Sequence, residues 1–250
     1  MKNTKTLVLI AFVLGAFTLS AQRIHRDTIC EFSNPPSDKV IFKSPKGKFY
    51  KVNFMAETGK YFDAEELLAI NCTDSTFAGS ARKAAKTSIV TAKTEDLATV
   101  SALIKTLTTD AVMRTKVTSS SKRVADENRN VRLLKDTYLY AFKKESDNDY
   151  HVIIGDNIDP KKATYFNAEV SGLPVPVDKR FQTVRAAFEK QFVQVCNSNY
   201  AIFSANPIKI TIEGSVFFDV DHKPGQIGPA GFQPLTTWEI HPISKITFLK

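Results

Sequence analysis

Cysteine is scarce: Cys30, Cys72 and Cys196 are the whole complement. Three thiols close at most one intramolecular disulfide, and their spacing matches no zinc motif. Ten glycines and eleven prolines are too few for a fibrous repeat, and 43% hydrophobic content is too high for a disordered chain. No His-Glu-x-x-His helix, Gly-rich phosphate loop or Gly-x-Ser-x-Gly elbow occurs. Gly79-Ser80 and Gly214-Ser215 are isolated pairs beside which the sequence places no base. After Gln22 no apolar run approaches the roughly 20 residues that span a bilayer.

What is present begins with export. Lys2 and Lys5 precede the apolar run Leu7–Leu14, and the small residues Ser20-Ala21 follow it. That is the order of a secretory signal peptide, with cleavage expected after Ala21. The expectation is therefore an exported protein, periplasmic or extracellular, with no transmembrane segment in the mature chain. Loss of Lys2 and Lys5 lowers the formal charge from +8 to +6. In an oxidising compartment Cys30 and Cys72, both in the N-terminal part, are the favoured disulfide; three small buried apolar residues are the alternative.

The remaining chain reads as a small N-terminal α/β region over 22–118, a linker over 119–130 and a second domain over 131–250. Lys39–Phe42 and Lys48–Phe54 flank Ser44-Pro45-Lys46-Gly47 as a β-hairpin. Asp63, with Glu66 three residues on, predicts a helix start. Another helix is expected from Thr94, with Leu97, Val100, Ile104 and Leu107 as its apolar stripe. Ser119–Arg123 and Asp126–Asn130 lack apolar periodicity, which marks the linker.

From Val131 the expected order is β-β-β-α-β-β: Val131–Lys144, Asp149–Ile154, Thr164–Val170, a helix capped by Asp178, Ile208–Phe218 and Trp238–Phe248. The fold class is thus α+β, the C-terminal part an OB-like five-stranded β-barrel with one helix. A sandwich or open sheet shares the same element order.

Strand alternation sorts the chemistry. With Tyr150, Val152 and Ile154 inward, Asp149 and His151 face the other way. Glu169 does the same opposite Phe166, Ala168 and Val170, as do Glu239 and His241 opposite Trp238 and Ile240. Asp219 and His222 end the fourth strand. In an OB barrel the third strand lies between the second and fifth. Asp149, His151, Glu169, Glu239 and His241 would then share one outward surface, with Glu145 at its edge. Such a set offers ligands for zinc or manganese, or a general acid and base among His151, His241 and Glu169. Equally, an Asp-x-His or Glu-x-His pair on a strand is an ordinary hydrogen-bonded surface couple. Basic residues at Arg82, Lys83, Lys86, Arg180, Arg185 and Lys190 do not form one run, although an OB barrel with scattered cations suits nucleic acid or an oligosaccharide.

Asp149–Ile154, Phe217–His222 and Trp238–Ile243 together resemble the ordered D-x-H, FFD-x-x-H and E-[IL]-HP-[VI] phrases of a group of uncharacterised bacterial secreted proteins. The resemblance covers about residues 130–250. It implies that Asp149, His151, Asp219, His222, Glu239 and His241 belong together, and it names no activity. Lys223–Pro234 is longer than the turn of that group. The element order is also similar, at fold level alone, to that of secreted staphylococcal-type nucleases, whose arginine and carboxylate pattern is not evident here. Two functions follow as expectations: a noncatalytic ligand-binding module, or a metal-dependent hydrolase of phosphodiesterase or nuclease type.

Overall fold

A computed structural model describes residues 75–192 and 200–249 in full, and the backbone of 39–43, 49–55 and 60–67. The export signal, Cys30, Cys72 and Cys196 lie outside the described residues.

Strands β1 (Lys39–Lys43), β2 (Phe49–Met55) and β3 (Lys60–Leu67) form one antiparallel sheet in that order. The hairpin is thus where the Pro/Gly turn placed it. Asp63–Leu67, expected to open a helix, is strand instead, paired with β2 from Phe49↔Leu67 to Met55↔Lys60. A capping preference is worth about 1 kcal/mol, and a paired neighbour strand outweighs it. Likewise Thr94–Leu97 is a strand, β4, and the helix begins later: α2 (Val100–Ile104) follows the short α1 (Lys83–Lys86). Thr99 caps α2 by accepting a hydrogen bond from Ala102 N at 3.2 Å.

After α3 (Asp110–Lys116) come β5 (Asn130–Leu133), β6 (Tyr138–Lys144), β7 (Tyr150–Gly155), β8 (Tyr165–Val170), α4 (Lys179–Gln191), β9 (Ala201–Ile202), β10 (Ile208–Phe218) and β11 (Trp238–Phe248). The β-prone run from Val131 is therefore two strands. The fold is mixed α+β around an eight-stranded sheet ordered β4-β5-β10-β11-β8-β7-β6-β9. A second pairing, Ile208↔Leu139 and Lys209↔Tyr138, joins β10 back to β6, so the sheet wraps partly into a ring. As expected, β8 lies between β7 and β11, antiparallel to the first and parallel to the second.

One face of the sheet holds the apolar core, including Val152, Ile154, Phe166, Ala168, Phe218, Trp238 and Ile240, with Phe188 from α4 and Phe192 just after it against it. Asp178 caps α4 by accepting from Arg180 N at 2.7 Å. Val100, Leu103, Met113 and Val117, all N-terminal to the 119–130 segment, join the same core, and β4 pairs in parallel with β5. That segment has no apolar periodicity because its inward member is a carboxylate: Glu127, on the 3-10 turn Ala125–Glu127, is fully buried.

Gly214 sits at a register shift between β10 and β11. A Cβ there would collide with the Pro242 carbonyl oxygen and Ile240 Cγ2. Gly214→Ala is expected to cost about 1–3 kcal/mol by overpacking; an unchanged urea midpoint would show that the strand gap relaxes freely.

Candidate metal centre

The face opposite the core carries the predicted residues, and alternation sorted them correctly. It is not a surface, however. Asp149, Glu169, Glu239 and His241 are at most 1% exposed and His151 is 8% exposed. Two distant pieces of chain cover them. The Phe77–Val90 stretch brings Arg82 and Lys86 over the Phe217 ring, at 4.5 and 5.7 Å, and that ring lies 5.6 Å from His241. The 221–235 loop seats Phe232 against Tyr140 and Tyr165, at 5.7 and 5.4 Å. The expectation of an outward patch is corrected to a buried polar layer.

Cross-strand register assembles it. His151 stands opposite Glu169, and Asn167 opposite Glu239. From the rim inward, carboxylates and imidazoles alternate. Glu145 Oε1 is 2.9 Å from His151 Nδ1, and His151 Nε2 is 3.0 Å from Glu169 Oε1. Glu169 Oε2 is 2.8 Å from His241 Nδ1, and His241 Nε2 is 3.5 Å from Asp149 Oδ2.

All five have a buried polar atom with no aligned hydrogen-bond partner, Glu145 Oε1 and His151 Nδ1 among them; Asp149, Glu169 and His241 are the three that also lie close together. Each of the three is anchored through one polar atom, while the other has no aligned hydrogen-bond partner. Asp149 Oδ1 accepts from Gly172 N at 2.5 Å, leaving Oδ2. Glu169 Oε1 accepts from Asn167 Nδ2 at 3.0 Å, leaving Oε2; its short approach to His241 is not aligned as a hydrogen bond. His241 Nδ1 lies 3.2 Å from Glu239 Oε1 and 2.8 Å from Glu169 Oε2, while Nε2 has no aligned hydrogen-bond partner. One ligand atom from each of Asp149, Glu169 and His241 lies within 4.8 Å of the others, so the three could hold a metal ion. Buried polar atoms are almost always paired; these three side chains, each with a polar atom lacking an aligned partner, have the donor set of a small cation site, two carboxylates and an imidazole. Glu239 and Asn167 then act as the outer partners that orient the ligands, since Asn167 Nδ2 also donates to Glu239 Oε2 at 2.9 Å.

The electrostatics agree. Burial, with Glu169 and Asp147 nearby, pushes Asp149 up to about 8. Burial and Glu169 push Glu239 up to about 7. Burial opposes the charge on His241, yet Glu169, Glu239 and Asp149 raise it to about 10. Glu169 is held well below its usual range by His241 and His151 in spite of its burial. The centre is therefore short of positive charge, and protons make up the difference.

Asp219 and His222 form a pair apart, Oδ2 to Nδ1 at 2.5 Å. The His222 ring is 6.0 Å from that of His151, and its side chain is 30% exposed. Arg114 pins this turn through the Val220 and His222 carbonyls, at 3.0 and 2.5 Å. Glu145 is half-buried at the rim, as its expected outer position implied.

Sequence reasoning missed Asn167, although it has the parity of Glu169 and could have been found by it. It read Lys86 only as one of the scattered cations, and it missed Glu127, for which the sequence offers no local signal. Of the cations weighed for anion binding, Arg82 and Arg185 are buried. Arg82 is held by Glu127, while Arg185 donates to the Asn148 carbonyl at 2.8 Å and sits 3.1 Å from Glu189. Among the described residues no helix is long and apolar enough to cross a membrane. No family model matches the chain, and neither the curated proteins nor the solved structures hold a match to it.

Proposed function

We propose that this is an exported divalent-cation-binding module whose centre, Asp149, Glu169 and His241, is built on the OB-like ring β6-β7-β8-β11-β10. The observation that carries the reading is that buried Asp149, Glu169 and His241 each offer a ligand atom within 4.8 Å of the others, each side chain also having a polar atom without an aligned hydrogen-bond partner. Support for the OB-like ring comes from the strand order, the parallel β8–β11 pair, the β10–β6 contact and the position of α4 between β8 and β10. Two oxygens and one nitrogen suit manganese or zinc. The purified protein, stripped and then supplied with either ion, is expected to retain about one equivalent per chain by elemental analysis. Retention of neither ion overturns the reading.

The Asp219–His222 pair favours a second reading, a metal-dependent hydrolase acting on phosphodiesters. His222 Nε2 has no partner among the described residues. With Nδ1 held by Asp219, it is oriented as a proton acceptor. A bound cation would supply an acidified water. Under this reading His222→Gln lowers turnover of bis(p-nitrophenyl) phosphate about 100-fold or more. Absence of turnover by the loaded protein removes the hydrolase and leaves the binding module.

A further inference from the structure

We infer that Lys86 is the built-in counter-cation of the centre, balancing its buried carboxylates and limiting how strongly it draws a divalent ion. The inference rests on the cation-binding reading for its second half alone.

Three cations surround the Phe217 ring: Arg82, Arg123 and Lys86. Two of them are committed elsewhere. Arg82 makes a bidentate pair with Glu127, at 2.8 and 2.6 Å. Arg123 donates to the carbonyls of Val216 and His241, at 2.6 and 2.8 Å. Among the described residues Lys86 has no such partner. Its ammonium is 3.8 Å from Asp219 Oδ2, with the side chain only 12% exposed. Burial disfavours its charge, yet Glu169, Glu239, Asp219 and Asp149 together hold it strongly protonated. Each of those four carboxylates is at most 2% exposed. A permanent positive charge among buried acids stabilises them when no ion is present and repels an incoming cation.

The test compares Lys86→Met and Lys86→Arg with the parent, stripped of metal, at pH 8. Without metal, Lys86→Met is expected to melt roughly 5 °C or more lower, since the acids lose a compensating charge. Titrated with Mn²⁺ alone, it is expected to bind about tenfold or more tighter, with Lys86→Arg within about twofold of the parent. A Lys86→Met protein that melts and binds as the parent does overturns the inference. So does equal damage from both substitutions, which would mark Lys86 as packing. The melting readout needs no cation. If Lys86→Met melts lower while neither protein binds Mn²⁺, the counter-charge role stands and the cation-binding reading falls.

Discussion

Glu169→Gln is expected to weaken Mn²⁺ or Zn²⁺ binding at least about 100-fold, the largest functional effect in the molecule. Among the described residues Glu169 is the one carboxylate that touches both buried imidazoles, His151 and His241. The amide keeps the size and removes the charge. Isothermal titration checks the loss; a retained affinity would place the cation elsewhere.

The same centre sets a pH dependence with a definite sign. Asp149 and Glu239 have folded values raised to about 8 and about 7, above those of the unfolded chain. Their contribution is favourable while protonated and is lost as pH rises through those values. His241, raised to about 10, contributes fully below its ordinary range and loses that contribution as pH climbs through 10. Glu169 and Asp219, both lowered, are already ionised above their ordinary range and add no slope near neutrality. All the sloping contributions share one sign, so the metal-free protein should lose stability between pH 6 and 9. A cation replaces the departing protons. The rise in melting temperature on adding Mn²⁺ should therefore grow across that interval, and a rise that shrinks with pH would contradict the proton inventory.

Glu127→Gln is expected to cost about 3–5 kcal/mol, the largest stability effect. Glu127 and Arg82 pair with side chains 0% and 1% exposed. Glu127 also accepts from Phe218 N and Val124 N, both at 2.9 Å. Arg82 donates to the carbonyls of Ser121, Phe218 and Lys122, at 3.0, 2.7 and 3.1 Å. The neutral amide leaves a buried guanidinium uncompensated and puts a donor where one of those two backbone N–H groups needs an acceptor. Urea unfolding measures the loss. A shift below about 1 kcal/mol would mean that water reaches Arg82. The pair also ties the cover of the candidate metal centre to β10, so under the cation-binding reading Glu127→Gln should loosen cation binding as well.

Much of this arrangement is legible along the chain. Strands β7, β8, β10 and β11 and the Asp178-capped helix follow from local alternation and capping; the two-residue β9 does not. The partition of Asp149, His151, Glu169, Glu239 and His241 away from Val152, Ala168 and Ile240 follows from the two-residue period of a strand. Errors fell where contacts beyond the local pattern decide, whether with a neighbouring strand or a remote one. Asp63–Leu67 has a helix-start pattern and pairs as a strand. Thr94–Leu97 shares an apolar stripe with Val100 and joins β5 instead. Asp126–Asn130, polar throughout, hides the ion pair that closes the structure.

The sequence by itself determined which side chains stand together on one face of the sheet, because the pleat is local and repeats every second residue. Only the tertiary structure decided that this face is covered. Lys86 and Arg82 come from more than 60 residues before β7, and the 221–235 loop from some 70 residues after it. Contacts at such separations leave no period to read. Burial is what turns a row of surface acids and imidazoles into a centre: removed from water, the charges must be met by protons, by Lys86 or by a metal ion.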